Sequence, residues 1–260
     1  MLIVLFLLGL CVGSFLNVLI SRLPKNESVI QGRSHCDYCK RTLQWYELIP
    51  LLSFVVQKGK SRCCKKPLSI QYPLVELLTG IGFVLLFRLQ SSAISPHFFN
   101  FYSIILLTSY FVLLSSLIVI FISDLKYEII PMPMIITGII GALIYLFITT
   151  NNERLTMNYF VPAILAFFFF WLLWFFTKGK AMGDGDMYLV LLVGLLTGFP
   201  KIVVSLYAAF LTGALSAVIL MIGGKKGLKS HIAFGPFLII GLVIALLFGD
   251  AIIIWWRSLW

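Results

Sequence analysis

Long apolar runs constrain this sequence most, because several of them approach or exceed the roughly 20 residues that cross a bilayer as a helix. Eight candidate spans stand out, at approximately 1–20, 73–88, 99–123, 130–149, 159–177, 187–199, 202–222 and 232–256. Only 12% of the residues are charged, against about 25% in soluble domains. The alternating polarity of a membrane barrel is absent from the sequence. We therefore predict an all-α polytopic membrane protein with about eight transmembrane helices and a cytoplasmic cysteine-bearing loop.

We divide the chain into three segments on this pattern: a first transmembrane helix over 1–20, a polar cytoplasmic loop over 21–72, and a transmembrane core over 73–260. The first segment lacks the basic start and the A-x-A site of a secretory signal peptide, so we expect it to be retained as a span.

The distribution of basic residues predicts the orientation. The net charge is +10, and in a membrane protein lysine and arginine mark cytoplasmic loops, so we expect a lipid bilayer and no nucleic acid as partner. Loop 21–72 holds ten of the 20 basic residues. Six more lie in three loops that the predicted topology places on the same side: Lys126, Lys178, Lys180, Lys225, Lys226 and Lys229. Both termini would then face outward.

Three acids fall at the cytoplasmic ends of predicted spans. Asp124 follows the third span, and Asp184 and Asp186 precede the sixth within "AMGDGDMY". Placing an acidic side chain at a membrane boundary costs free energy, so acids at such positions are functional candidates. The alternative interpretation is an ordinary helix-end residue, which suits Asp186 because aspartate favours helix N-termini, and suits Asp124 less because helix C-termini favour cations.

Paired carboxylates can carry hydrolysis. Two close carboxylates share a proton, so that one acts as acid and the other as base while water attacks a carbonyl. Gly183 and Gly185 would permit positive φ angles and the close approach of a substrate backbone. A transporter with an acidic proton relay is the non-enzymatic alternative, although such proteins often show repeated halves, and no repeat is visible in this sequence.

The predicted cytoplasmic loop carries two pairs of cysteines, Cys36 with Cys39 and Cys63 with Cys64. A reducing cytosol disfavours a structural disulfide, and two cysteine pairs suggest a tetrahedral zinc site. Because adjacent thiolates can ligate one metal only with a distorted backbone, we predict Cys36, Cys39 and Cys64 as ligands, with Cys63 or His35 as the fourth. A loop with free thiols and no metal is the alternative.

The sequence as a whole resembles the type IV prepilin leader peptidases, which are G-x-G-D membrane aspartic peptidases. The resemblance is carried, in chain order, by "GLCVGSFLNVLISRLP" (9–24), "SHCDYCKRTLQWYELIPLLSF" (34–54), "GKSRCCKKPLSIQYPLVELLTG" (59–80), "DLKYEIIP" (124–131, the D-x6-P pattern) and "FGPFL" (234–238). Presenilin-type proteases share G-x-G-D, but the other segments favour the prepilin class.

The resemblance implies which acids are catalytic. Residues 183–186 fit G-x-G-D, which makes Asp124 and Asp186 the catalytic pair. An alternative frame ends at Asp184 and needs Ala181 in place of a glycine. Asp186 precedes Gly194 by eight residues, which is the family's usual spacing. The chain departs from the family pattern at two positions: Tyr188 stands where lysine is common, and Ser61 stands where a second C-x-x-C would begin.

The resemblance also implies a reaction. The expected activity is cleavage of prepilin or pseudopilin leaders after a glycine, just before the substrate's hydrophobic helix, at the cytoplasmic face of the inner membrane. Many members also methylate the new amino terminus with S-adenosylmethionine. The peptidase step itself would need no cofactor.

Overall fold

The computed structural model describes residues 1–91, 101–150, 156–179, 182–222 and 233–258. Four lysines that contributed to the predicted orientation lie outside these residues: Lys180, Lys225, Lys226 and Lys229. Helices dominate the described part of the chain, which contains no β-strand and only two isolated bridges. The predicted all-α class is confirmed.

Nine α-helices occur within the described residues, and seven of them match predicted spans to within a few residues. They are α1 Leu2–Arg22, α2 Leu52–Val56, α3 Gln71–Ser91, α4 Phe101–Tyr127, α5 Met132–Thr149, α6 Val161–Thr177, α7 Asp184–Thr197, α8 Lys201–Ile222 and α9 Gly235–Ser258.

The sixth predicted span differs from the others. Seven described helices are long and apolar enough to cross a membrane, and α7 is not one of them, because it has only 14 residues. At about 1.5 Å per residue it is roughly 21 Å long, less than the hydrocarbon core of about 30 Å. It begins at Asp184, earlier than predicted, and ends at Thr197, followed by the C-cap Gly198, whose φ of +63° suits glycine.

The chain forms two compact units, Met1–Val119 and Ile120–Trp260, here called the N-unit and the C-unit. In the N-unit, α1 packs closely against α3. A Cβ atom on Gly9 would lie 2.7 Å from Gly80 Cα, and one on Gly13 would lie 2.7 Å from Glu76 Cα. Small residues spaced by four thus let the two backbones approach, as G-x-x-x-G stripes do between membrane helices.

In the C-unit, the short helix α7 contacts α5, α6, α8 and α9. It is largely buried, and Gly194 sits so close to α6 that a Cβ atom there would lie 2.6 Å from Ala163 Cα. A helix packed on several sides fixes the position of its own first turn. That turn carries Asp186.

Candidate active site

Asp124 lies in the last turn of α4, where the D-x6-P segment reverses the chain. Glu128 adopts a left-handed conformation with φ of +54°, and its N–H donates to the Asp124 carbonyl over 3.0 Å, which closes the helix. The chain then extends to Pro131, the N-cap of α5. The turn places Ile130 beside two glycines: a Cβ atom on Gly185 would lie 2.8 Å from Ile130 Cβ, and one on Gly235 would lie 3.2 Å from Ile130 Cδ1.

Asp186 lies in the first turn of α7, inside the helix rather than before it. Gly183 is the N-cap, and its backbone N–H donates to the Asp186 carboxylate. The helix N-terminus favours a negative charge at this position. Asp184 shares the same turn but is exposed.

The structure brings Asp124 and Asp186 together. Their side chains are only 4% and 6% exposed, and they are close enough for their charges to interact. Asp124 Oδ2 and Asp186 Oδ1 are buried and accept no hydrogen bond from any group of the described chain. Buried polar atoms are nearly always hydrogen-bonded, so each carboxylate keeps one oxygen available for another molecule.

Two residues of the site were not singled out from the sequence. The N–H of Gly235 donates to the Asp124 carboxylate, and a Cβ atom on Gly235 would lie 2.5 Å from Asp124 Oδ2. Ile130 fills the space between this glycine and Gly185. The "FGPFL" and D-x6-P motifs marked these segments, but their contact joins residues more than a hundred positions apart, which periodicity cannot reveal.

The positive φ angles expected at the glycines before Asp186 are not found. Neither Gly183 nor Gly185 has a positive φ. A Cβ atom on Gly185 would lie 2.8 Å from Ile130 Cβ, so this position requires glycine for packing. Gly183 is exposed at the helix start. Tyr188, at the position where lysine is common in the family, has its ring centroid 5.7 Å from that of Phe167 on α6, with the two ring planes tilted by 45°.

Four of the five cysteines of the N-unit form a second cluster, in the loop between α1 and α3. The Sγ atoms of Cys36, Cys39, Cys63 and Cys64 all lie within 4.8 Å of one another. The cluster therefore contains Cys63 together with the three predicted ligands, and His35 is not part of it. This arrangement could hold a metal ion.

Two similar backbone turns build this cluster. In the first, Lys40 N–H donates to the Cys36 carbonyl and Cys36 N–H donates to the Arg41 carbonyl. In the second, Lys65 N–H donates to the Ser61 carbonyl and Ser61 N–H donates to the Lys66 carbonyl. Lys40 and Lys65 both have left-handed φ angles, of 58° and 59°.

The correspondence of the two turns makes Ser61 the counterpart of Cys36. Ser61 is buried, and its Oγ lies 3.4 Å from Cys36 Sγ and 3.0 Å from Cys63 Sγ. Cys63 thus provides a fourth thiol where the first position of the second turn has a hydroxyl. We expected adjacent cysteines to need a distorted backbone, but the turn already directs Cys63 and Cys64 to one point.

The sulfur distances can be compared with those of a metal site. Tetrahedral zinc with Zn–S bonds of about 2.3 Å separates its sulfur ligands by about 3.8 Å. Cys36 Sγ and Cys64 Sγ are 3.8 Å apart, whereas Cys39 Sγ and Cys63 Sγ are 2.9 Å apart. The exposed Cys39 would have to move outward by about 0.9 Å to accommodate zinc.

The two cysteines of the first turn differ in their ionisation. Burial opposes ionisation of the Cys36 thiol, but hydrogen bonds from the Cys39 and Tyr38 backbone and from the Ser61 and Cys63 side chains lower its pKa to about 6. A hydrogen bond with Cys63 raises the pKa of Cys39 to about 11. Metal ligation requires thiolates, so of these two cysteines Cys36 is the better prepared for it.

Comparison with known proteins adds to this geometry. Residues 7–89 match the Bacterial Peptidase A24 N-terminal domain, and residues 111–218 match the Type IV leader peptidase family. A "Prepilin leader peptidase/N-methyltransferase" of Myxococcus xanthus is 34% identical over 87% of this chain and 65% of the relative. A protein of the same name from Bacillus subtilis is 31% identical over 97% of this chain and 96% of the relative. Another, from Pseudomonas aeruginosa, is 30% identical over 95% of this chain and 90% of the relative. No solved structure gives a significant match.

Proposed function

Because this chain belongs to the type IV leader peptidase family, we propose that it removes the leaders of type IV prepilins or pseudopilins by aspartic peptidase chemistry. The buried pair of Asp124 and Asp186, each with an unpartnered oxygen, is the observation that carries the proposal. Both residues lie within the segment that matches the family. The chain is a multi-pass membrane protein, and we place its site at the cytoplasmic face of the inner membrane.

The two aspartates divide the work of hydrolysis. One carboxylate takes a proton from water as the oxygen attacks the carbonyl carbon, while the other, protonated, donates its proton to the carbonyl oxygen. A tetrahedral intermediate forms and then collapses. The peptide C–N bond breaks, and a proton passes to the departing amine. Close carboxylates suit this chemistry because they hold one proton between them.

Substrate specificity follows from where the pair lies. Gly183 is exposed and carries no side chain beside Asp186, so we propose that the backbone of the extended leader junction approaches there, while Gly185 keeps this turn close to Ile130. The cut would fall after a glycine, just before the substrate's hydrophobic helix. The rival interpretations, a presenilin-type protease and a proton-coupled transporter, are not favoured by the family matches.

We assign the four-thiol cluster a structural zinc ion. Zinc prefers tetrahedral thiolate ligands, and all four sulfur atoms already meet at one point. The ion would tie Cys36 and Cys39 of the first turn to Cys63 and Cys64 of the second. Peptidase chemistry at Asp124 and Asp186 does not involve it.

We also propose that the protein methylates the new amino terminus, as the names of its relatives indicate for them. S-adenosylmethionine would supply the methyl group, which passes to the α-amine nitrogen as the amine loses a proton and S-adenosylhomocysteine leaves.

The test is reconstitution of the purified protein in proteoliposomes with a prepilin. Intact mass spectrometry is expected to show loss of the leader after glycine and, when S-adenosylmethionine is added, the mass of one further methyl group. Asp124→Asn should abolish leader loss at an unchanged protein level. Proton uptake into the vesicles without any cleavage would instead support the transporter interpretation and reject the peptidase.

A further inference from the structure

The cysteine-bearing loop carries exposed apolar side chains on the short helix α2. Leu52, Val55 and Val56 have the i, i+3, i+4 spacing that puts residues on one helix face, and each is more than half exposed. Phe54 packs against Gly59 instead, where an added Cβ atom would lie 3.3 Å from its ring. The outer face of α2 is therefore apolar and uncovered within the described part of the chain.

Two exposed aromatic side chains lie beside this face. They are Trp45 and Tyr46 of a short 3-10 helix over Trp45–Leu48, and their ring centroids are 5.7 Å apart. Tyr46 lines a cavity of about 320 Å³ together with Leu52, Val56 and Arg62. Tryptophan and tyrosine favour the boundary between hydrocarbon and water. We call five residues the α2 surface: Trp45, Tyr46, Leu52, Val55 and Val56.

A hydrogen bond to a membrane-spanning helix fixes the depth of α2. Leu51 N–H, at the start of α2, donates to Glu76 Oε2 over 2.8 Å. Glu76 is the sixth residue of α3, which is long and apolar enough to cross the membrane, so it lies about 8 Å from the start of that helix. Interfacial helices bury their apolar face about 5–10 Å into the boundary between headgroups and acyl chains. The bond thus holds α2 at the level of this boundary.

The charged residues that follow α2 are all basic. Residues 48–75 contain no acidic residue, and their five basic residues are exposed: Lys58, Lys60, Arg62, Lys65 and Lys66. The guanidinium of Arg62 lies 5.1 Å from the centre of the Tyr46 ring. Basic residues beside an apolar face complement an anionic bilayer, because they meet phosphates while the apolar side chains enter the acyl region. An apolar helix of another protein would cover the α2 surface without complementing this charge.

We propose that the α2 surface rests in the membrane leaflet next to the cysteine-bearing loop, with Arg62 bound to the phosphate of an anionic phospholipid. Arginine suits this role because its planar guanidinium donates two parallel hydrogen bonds to a phosphate. Leu52 and Val56, on the wall of the same cavity, would contact the start of an acyl chain. The loop between α1 and α3 is then held to the bilayer along its length as well as at its two ends.

Photo-cross-linking identifies what covers the α2 surface. The full-length protein with Val55→p-benzoylphenylalanine is irradiated in vesicles of equal amounts of phosphatidylcholine and phosphatidylglycerol, and its adducts are weighed by mass spectrometry. We expect phospholipid adducts, with phosphatidylglycerol in at least about twofold excess, because basic segments concentrate anionic lipid. Adding Arg62→Gln should lower this ratio toward one. Arg41→Gln removes the same charge from an exposed position in the first cysteine turn and should leave the ratio unchanged.

Irradiation in the presence of a prepilin separates the possible occupants. Adducts with the prepilin in place of lipid would assign the α2 surface to the substrate and overturn the proposal. Absence of any adduct would place the surface in water and would overturn it as well. An unchanged lipid ratio in Arg62→Gln would reject the assignment of the phosphate to Arg62.

Trp45 provides a second measurement without an unnatural side chain. Phospholipids brominated on their acyl chains quench tryptophan fluorescence on contact, and the emission of Trp45 is the difference between the wild type and Trp45→Phe. We expect this difference to fall at least about twofold in brominated vesicles, since an interfacial ring lies close to the acyl chains. Equal differences in brominated and unbrominated vesicles would contradict insertion of the α2 surface.

The proposal does not depend on the proposed enzymatic activities. The α2 surface belongs to the N-unit, so protein with Asp124→Asn should give the same lipid adducts. Lipid adducts without any cleavage of prepilin would count against the peptidase alone. Cleavage of prepilin without lipid adducts would reject the α2 surface alone.

Discussion

The N-unit and the C-unit both bury charged side chains, but they treat them differently. In the N-unit the guanidinium of Arg22 donates to the backbone carbonyls of Ser28, Gln31, Gly32 and Arg33. In the C-unit, Asp124 and Asp186 each keep a buried oxygen without a partner. Burying a charge is costly unless it is hydrogen-bonded.

This difference in hydrogen bonding distinguishes a buried charge that stabilises the fold from buried charges that can react with another molecule. Arg22 is 8% exposed and fixes the start of the cysteine-bearing loop through bonds to its backbone. The aspartates retain their capacity to bind water or a substrate carbonyl. Polar atoms left unpaired inside a protein thus mark the places where a second molecule is expected. Asn17 Oδ1 is such an atom in the N-unit.

Among variants that keep both aspartates, the largest effect is expected from crowding the Asp124 carboxylate. Gly235→Ala places a methyl group 2.5 Å from Asp124 Oδ2, which must displace the carboxylate. Displacements of about 1 Å can cost on the order of 100-fold in rate, and we expect that loss in initial rates of leader removal. Gly213→Ala, whose new Cβ would meet nothing closer than 3.5 Å, is the control. Similar activity in both variants would contradict a positioning role for Gly235.

The second largest effect is expected at the thiol cluster, where removing one cysteine should lower the zinc content of the purified protein. Cys63→Ala should reduce zinc from about one ion per chain to well below one, since tetrahedral sites need four ligands. Adding Ser61→Cys should restore it, because Ser61 occupies the turn position equivalent to Cys36. Metal analysis of protein purified without chelators checks both. Retention of zinc by Cys63→Ala alone would show that Cys63 is not a ligand.

A smaller effect is expected from the helix packing of the N-unit. Gly13→Ala brings a Cβ atom to 2.7 Å from Glu76 Cα, and overpacking of this kind costs about 1–3 kcal/mol. Thermal unfolding of the detergent-solubilised protein should show a lower midpoint. Cys11→Ala removes an exposed side chain from the same helix and should leave the midpoint unchanged. An unaltered midpoint for Gly13→Ala would show that α1 can move away from α3.

The smallest effect is expected at the one ion pair found among the described residues. Lys201 Nζ and Asp250 Oδ2 are 2.7 Å apart, with side chains 27% and 76% exposed. Exposed pairs contribute about 0–1 kcal/mol. A double-mutant cycle with Lys201→Ala and Asp250→Asn, measured by thermal unfolding, should give a coupling within that range. A coupling above about 2 kcal/mol would mean that this pair behaves as a buried one.

The sequence predicted most of the fold, because apolar runs report helices directly. The helix predicted at 187–199 is present, but it is not among the seven described helices long enough to cross a membrane, and a run of that length does not reveal whether the helix spans the membrane or packs as a short element. The helix boundary there also shifted, and Asp186 lies within α7. Asp184 and Asp186 were separated by motif spacing, and the structure adds a physical difference between them, because the first is exposed and the second is buried.

Two features of these sites, one at the aspartates and one at the thiol cluster, depend on three-dimensional contacts that residue spacing in the sequence does not reveal. Gly235 meets Asp124 only because α4 and α9 bring distant residues together. The inclusion of Cys63 in the thiol cluster depends on the turn at Ser61, whose hydrogen bonds resemble those at Cys36. Spacing alone suggested a distorted ligand set, because it ignores where a turn directs its side chains.

The central claim is that Asp186, and not its neighbour Asp184, acts with Asp124. Initial rates of leader removal by Asp186→Asn and Asp184→Asn, at matched protein levels in the same vesicles, test it directly. We predict that Asp186→Asn loses at least about 100-fold, because general acid–base catalysis is removed, and that Asp184→Asn stays within about threefold of wild type, since an exposed charge is screened by solvent. Full activity of Asp186→Asn together with an inactive Asp184→Asn would contradict the assignment.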